Sequence, residues 1–266
     1  GDIAHTKTQI SPEFVDMCST FLSSLADIAP TYAILGNHDG NLRNSSRQDA
    51  ITPIVEALNH PSLVLHKYSG EVQLEDDLTL NVLSIFDETN WQDPTDPEAI
   101  NIALYHGAIN NSKTDMGWIM DHGDHDIKVF EKFDYAMLGD IHKTNQTLNE
   151  SGTIRYCGST IQQNHGETND KGFLIWDIYN KTDFCVEHHL IENIKPFMTI
   201  EMTEKGDLPN KLDIPEGARL RVVTHHKVSL DKIRRVMDIA KSRFKPESLS
   251  FVNKAGLKRD SVNVDD

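Results

Sequence analysis

Apolar residues recur along the chain with two different periods, and the period changes where the organisation changes. Over residues 12–28 (PEFVDMCSTFLSSLADI), Phe14, Met17, Phe21, Leu22 and Leu25 fall at three- and four-residue steps, which predicts an amphipathic helix. Ser11 and Pro12 are start signals: a serine hydroxyl can accept from an unpaired first-turn N–H, and proline has no N–H to leave unpaired. TYAILGNHDG follows as a short apolar run ending in a Gly-Asn loop, the pattern of a buried strand that delivers polar groups. A second helix is predicted around 49–59, then strands at 63–67, 71–74 and 78–86. NIALYHGAI reads as another buried strand ending at a histidine, and Asp126 as the cap of a helix IKVFEKF before a strand YAMLGDIH. This repetition of strand, polar loop and helix predicts layered α/β architecture with functional groups at strand ends.

From Thr153 the pattern becomes consecutive strands, TIRYCGST, GFLIWDIY and DFCVEHHLI, with Asn180-Lys181 as a turn, and these are expected to complete a second sheet. Around Asn193–Pro196 the chain leaves this body. FMTIEMT, ARLRVVTHH and a helix SLDKIRRVMDIAKSRF form a small β-α unit, in which Leu230, Ile233, Met237, Ala240 and Phe244 make a packing face opposite Lys232, Arg235 and Arg243. The expected division is a main domain at 1–192, a small basic module at 193–258 and a tail at 259–266.

Charge sharpens that division. The net charge is −15, yet residues 219–259 hold twelve Lys or Arg against three acidic residues, so the rest of the chain is strongly acidic. The simplest account of the acidic part is a solvated surface in which ligand carboxylates are a minor fraction. Cys18, Cys157 and Cys185 are too few and too scattered for a disulfide framework or a zinc pair, and read as reduced packing residues. No run approaches the roughly eighteen apolar residues of a membrane span, and the first residues lack the regions of a secretory signal. The expectation is a cytoplasmic or other intracellular protein without a membrane partner.

Four fragments carry candidate chemistry: GDIAH at 1–5, GNHD at 36–39, YHG at 105–107 and GDIH at 139–142. Asp, Asn and His on separate strand ends, held by Gly-rich turns, supply the mixed oxygen and nitrogen ligands that a pair of divalent cations requires. The order of the fragments resembles that of the calcineurin-like metallophosphoesterases, D-x-H, G-D-x-x-H, G-N-H-D/E, H and G-H-x-H, after an absent first motif. FDYAMLGDIHK, IRYCGSTIQQNHGE and KGFLIWDI resemble the SbcD-type DNA repair and recombination nuclease branch. The resemblance extends from Gly1 to about Ile191. It implies a two-sheet α/β sandwich with a small C-terminal α/β capping module that touches DNA. The implied activity is cleavage of DNA phosphodiesters, exonucleolytic or endonucleolytic. Two divalent cations are the implied cofactors, Mn²⁺ first and Mg²⁺ as the alternative. The implied partners are DNA, an SbcC-type coiled-coil ABC ATPase and a second copy of the chain.

Residue by residue, the resemblance makes Asp2 the bridging carboxylate, Asn37, His106 and Asp140 further ligands of one metal, and His142 a ligand of the other. It makes His38 the phosphate-contacting histidine and His5 a second histidine near the phosphate. Asp140 departs from the family, which has histidine there. A carboxylate at this place favours hard cations, or weakens the site, or is a turn residue after Gly139. The chain opens within a motif that should follow a strand, so a D-x-H segment is expected upstream; these residues alone are then expected to hydrolyse little. Lys232, Arg235 and Arg243 are the candidate DNA contacts. Two other readings stay open: a phosphoesterase for nucleotides or small phosphoesters, and a degenerate non-catalytic subunit that binds DNA or the ATPase. The DHGDHD loop at 121–126, the pairs His188-His189 and His225-His226, each expected within a strand, and the three tryptophans are read as structural.

Overall fold

The computed structural model describes residues 1–6 and 8–256; Lys7 and residues 257–266, with the expected tail at 259–266, lie outside the described residues. The chain is an α/β protein that divides into two compact units, Gly1–Thr160 with Gly172–Leu190, and Ile161–Lys171 with the chain from Ile191.

The first unit contains helices α1 (Pro12–Ile28) and α2 (Thr52–Leu58). Its strands are β1 (Thr31–Ile34), β2 (Leu63–His66), β3 (Gly70–Glu75), β4 (Leu78–Leu83), β5 (Ile100–His106), β6 (Tyr135–Gly139), β7 (Gln146–Thr147), β8 (Ile154–Tyr156), β9 (Gly172–Ile178) and β10 (Phe184–Leu190). A six-stranded sheet runs β3-β4-β5-β6-β8-β7, parallel from β4 through β8, while β1-β2 and β9-β10 form separate pairs. Both faces of the six-stranded sheet are covered, as parallel strands require. Ala103, Tyr105, Ala136 and Leu138 pack on one face with Phe130 and Tyr156. Leu80, Ile102 and Tyr135 pack on the other with Trp176, Ile178 and Phe184 of the β9-β10 hairpin. A third cluster joins Cys18, Leu22 and Ala26 of α1 to Leu35, Ile51, Ile54 and Leu63.

Several expectations are revised. The Ser11 hydroxyl accepts from the Phe14 N–H as a cap should, but α1 turns Cys18, Leu22 and Ala26 inward and leaves Met17, Phe21 and Leu25 exposed. Leu22 and Phe14 of the expected face do pack on the core, with Cys18 and Ala26 beside them. TIRYCGST yields β8, which joins the six-stranded sheet instead of a second one. IKVFEKF is only a 3-10 turn, Ile127–Phe130, although Asp126 does cap it through the Lys128 N–H. Trp118 is 64% exposed, and Cys157 and Cys185 are exposed, so these three are not packing residues.

The second unit is a parallel three-stranded sheet, β11 (Phe197–Glu201), β12 (Arg219–Thr224) and β13 (Ser248–Asn253), in that order, with α3 (Leu230–Phe244) between β12 and β13. Ile200, Leu220, Val222, Val236, Ala240 and Phe244 form its core. Leu230, the first residue after the Ser229 cap, is 71% exposed, and Val236 takes a packing role in its place. His225 and His226 lie beyond the end of β12, not in a strand. No helix among the described residues is long and apolar enough to cross a membrane.

Candidate metal centre

Three strand ends build the site. β1 runs into Leu35-Gly36-Asn37-His38, β5 ends on His106 and β6 ends on Gly139, which is the register partner of His106. That pairing places Asp140, one residue further, beside the His106 ring. Asp2 arrives from the irregular segment at the start of the chain. Ligand atoms of Asp2, His106 and Asp140 lie within 4.8 Å of one another. His106 Nε2 is 3.2 Å from Asp2 Oδ2 and 3.7 Å from Asp140 Oδ1.

Glycine makes this convergence sterically feasible. A Cβ on Gly36 would meet His106 Nε2 at 2.7 Å and collide with Asp2 Oδ1, and one on Gly139 would meet His106 Nδ1 at 2.8 Å. The imidazole is thus held between two positions that only glycine can fill. Both carboxylate residues have left-handed backbones, Asp2 with φ 58° and Asp140 with φ 95°. Such conformations cost on the order of 1–3 kcal/mol for a residue with a side chain and persist where surrounding structure enforces them.

The electrostatics are those of a shared centre. Burial pushes the Asp2 carboxyl up, but the His106 imidazole and the His38 backbone N–H, which donates to Asp2 Oδ1 at 2.9 Å, hold it below the usual carboxylate range. Asp140 goes the other way: burial raises it, with Asp2 adding to the rise and His106 opposing it. Two carboxyls pushed apart around one imidazole share a limited amount of positive charge, which a cation would supply. His106 is 2% exposed, and neither ring nitrogen has a well-aligned hydrogen-bond partner despite the carboxylates around it. A buried imidazole in this state, with two hard oxygen donors, fits a divalent cation.

The other sequence candidates occupy the surroundings. Asn37 is half-buried in the turn between Gly36 and His38. His142 is exposed and outside the three-residue group, although its charge acts on Asp140. His38 and His5 are exposed, with rings stacked at 6.0 Å, and His38 Nδ1 lies 3.1 Å from the His5 carbonyl, to which it must donate. Lys232 is half-buried and its ammonium donates to the Lys205 carbonyl, whereas Arg235 and Arg243 are exposed on α3.

No family model matches the chain. A protein of Acanthamoeba polyphaga mimivirus, "Uncharacterized protein R555", is 37% identical over 235 residues, which are 84% of this chain and 17% of that protein. A protein of Invertebrate iridescent virus 6, "Putative phosphoesterase 244L", is 26% identical over 186 residues, 66% of this chain and 61% of that protein. The chain thus spans less than two thirds of either relative's length.

Sequence reasoning missed three side chains that shape the centre. Tyr156, fully buried, donates to the Gly107 carbonyl at 2.7 Å and accepts from the Ile109 N–H at 2.9 Å, fixing the turn that leaves His106. Asp124 accepts from the Ala108 N–H at 3.0 Å, so the DHGDHD loop braces the same turn. Asp39 is fully buried and bonded to backbone on both sides of the site. Its place in GNHD was the available signal; Tyr156 lies in a short strand and gave none.

Proposed function

We propose that the chain is a metal-dependent phosphoesterase built on Asp2, His106 and Asp140, and that it cleaves DNA by two-metal activation of water. The observation that carries the reading is the convergence of ligand atoms from Asp2 and two strand ends within 4.8 Å. The printed name of the iridescent-virus relative supports the phosphoester chemistry. The donor set suits Mn²⁺, with Mg²⁺ as the alternative. Asp2, Asn37, His106 and Asp140 would hold one cation, and Asp2 with His142 would contribute to the second. Bound there, divalent cations polarise phosphoryl oxygens and bring the pKa of a water to near neutrality.

The residues of the chain supply orientation and proton management. His106 and the His38 N–H keep the Asp2 carboxyl ionised and aimed. Because His38 Nδ1 donates to the His5 carbonyl, Nε2 is its free nitrogen: an acceptor in the neutral ring and a donor to a phosphate oxygen in the protonated one. The stacked His5 ring stands next to it, where a leaving oxygen could take a proton.

Support for DNA comes from the resemblance to the SbcD-type branch and from the exposed Arg234, Arg235, Lys241 and Arg243 of α3. An SbcC-type ATPase and a second copy of the chain are proposed partners on the resemblance alone. Calorimetric titration with Mn²⁺, together with cleavage of a long duplex and of bis(p-nitrophenyl) phosphate, tests the reading. The expected result is Mn²⁺ binding with only weak duplex cleavage, which falls further as salt rises. Cleavage of the small diester without the duplex would move the substrate to small phosphoesters. A chain that binds no Mn²⁺ would be a non-catalytic binding subunit.

A further inference from the structure

Asp39 is a fully buried carboxylate outside the three-residue ligand group. Its Oδ2 accepts from the Asp2 N–H and from the Gly36 N–H, each at 2.8 Å, and its Oδ1 accepts from the Ala4 N–H at 2.7 Å. Its own backbone is also fixed, the N–H donating to Gly36 O at 3.1 Å and the carbonyl accepting from Ala50 N at 2.8 Å. We infer that Asp39 is a positioning residue of the candidate centre, clamping residues 2–4 onto the Gly36 turn and so holding the Asp2 carboxylate in ligand geometry.

The argument is one of missing alternatives. The described residues 1–6 belong to no helix or strand, so no ladder of backbone bonds holds Asp2 in place. Asp2 also has φ 58°, a conformation that relaxes unless it is enforced. Enforcement comes from two directions: Asp39 grips the backbone on both sides of Ile3, and the His38 N–H grips the Asp2 carboxylate. One side chain therefore ties the segment carrying Asp2 and His5 to the turn carrying Asn37 and His38. Backbone N–H groups donating to an ionised acceptor are strong, short-range restraints, and supports of this kind typically change metal affinity by about 10–100-fold when removed.

The inference rests on the reading of Asp2 as a metal ligand, and the experiment separates the two. Asp39→Asn keeps one acceptor oxygen for Asp2 and Gly36 but turns an NH₂ group toward the Ala4 N–H; Asp39→Ala removes all three acceptors. Mn²⁺ affinity of the 266-residue chain, measured by calorimetry, should fall about 10-fold in the first and about 100-fold in the second. Asp49→Asn serves as control, because it alters another buried carboxylate network of the same unit that touches no ligand residue. It should leave Mn²⁺ affinity within about 2-fold. Amide exchange at Asp2, Ala4 and Gly36, measured without metal, should accelerate at least about 10-fold in Asp39→Asn but not in Asp49→Asn. If Asp39→Ala does not fold, Asp39→Asn carries the test. Asp39 variants that bind Mn²⁺ as tightly as the control, or unchanged exchange at Ala4, overturn the inference. A wild-type chain that binds no Mn²⁺ while exchange still accelerates overturns the metal reading and leaves the clamp standing.

Discussion

In the first unit the ends of β5 and β6 deliver His106 and Asp140 toward each other and toward Asp2. In the second, the end of β12 delivers Thr224, whose hydroxyl donates to the His226 carbonyl at 3.1 Å and accepts from the His226 N–H at 3.2 Å. Both ends are buried and polar, but only the second satisfies itself locally. The first brings two carboxyls and an imidazole together and places two of its acids at positive φ. The small β-α-β unit has an apolar core and carries most of its helix charges outward, although Lys245 caps α3 at φ 43°. A cluster that leaves buried polar groups without local partners is a candidate for chemistry.

The largest expected effect tests the second unit. Leu220 is fully buried in its core, so Leu220→Ala should cost about 3–4 kcal/mol in chemical denaturation. Mn²⁺ affinity should stay within about 2-fold of wild type. A parallel loss of metal affinity would end the separation of roles between the units. His106→Ala should do the reverse, weakening Mn²⁺ binding at least about 100-fold, or roughly 2.7 kcal/mol, and abolishing cleavage. Its melting temperature should change by only a few degrees, since the ring sits in a polar setting; a collapse of the fold would make His106 a core residue instead.

Asp49 sharpens the comparison from within the first unit, because its buried polar groups are paired for stability. Its oxygens accept from the Ile51 and Thr52 N–H groups at 3.0 and 2.7 Å and from the Thr52 hydroxyl at 2.7 Å, and Lys67 Nζ lies 3.1 Å away. Asp49 thereby caps α2, to which Ile51 offers no side chain. Asp49→Asn should cost about 2 kcal/mol. Burial raises the Asp49 carboxyl, but the Thr52, Lys67 and Ile51 bonds outweigh it and leave the group below its ordinary value. Its contribution is therefore complete above the unfolded carboxylate pKa of about 4 and is lost as pH falls through the lower folded value. Denaturation curves of wild type and Asp49→Asn should converge in that acid window, and parallel curves would show that the carboxyl is not depressed. The smallest effect belongs to Asp140, where glycine would adopt φ 95° freely. Asp140→Gly should raise stability by about 1 kcal/mol in thermal denaturation while Mn²⁺ affinity falls, and a loss of stability would show that the backbone there is unstrained.

The sequence by itself determined the strands that end on GNHD, on His106 and on GDIH, because an apolar run closed by glycine and a polar residue carries a single local meaning. It also determined both long helices through their serine caps, since a hydroxyl at the cap satisfies an N–H within the same turn. It gave most of the face that α3 buries, Ala240, Phe244 and Met237 among it, but not the face of α1. On α1 the inward residues are Cys18, Leu22 and Ala26, a choice made by the surface that the helix meets and not by hydrophobicity along it. β13 was missed although Ser248-Leu249-Ser250-Phe251 alternates, because four alternating residues are a short signal and the strand is made by pairing with β12. The candidate ligands were legible as residue types near strand ends, yet their grouping was not, because it depends on register: His106 opposite Gly139 puts Asp140 beside the imidazole. The long-range bonds of Asp39 and Tyr156 were not legible in the sequence, since they join residues 35 to 49 positions apart that only the folded chain brings within hydrogen-bond reach.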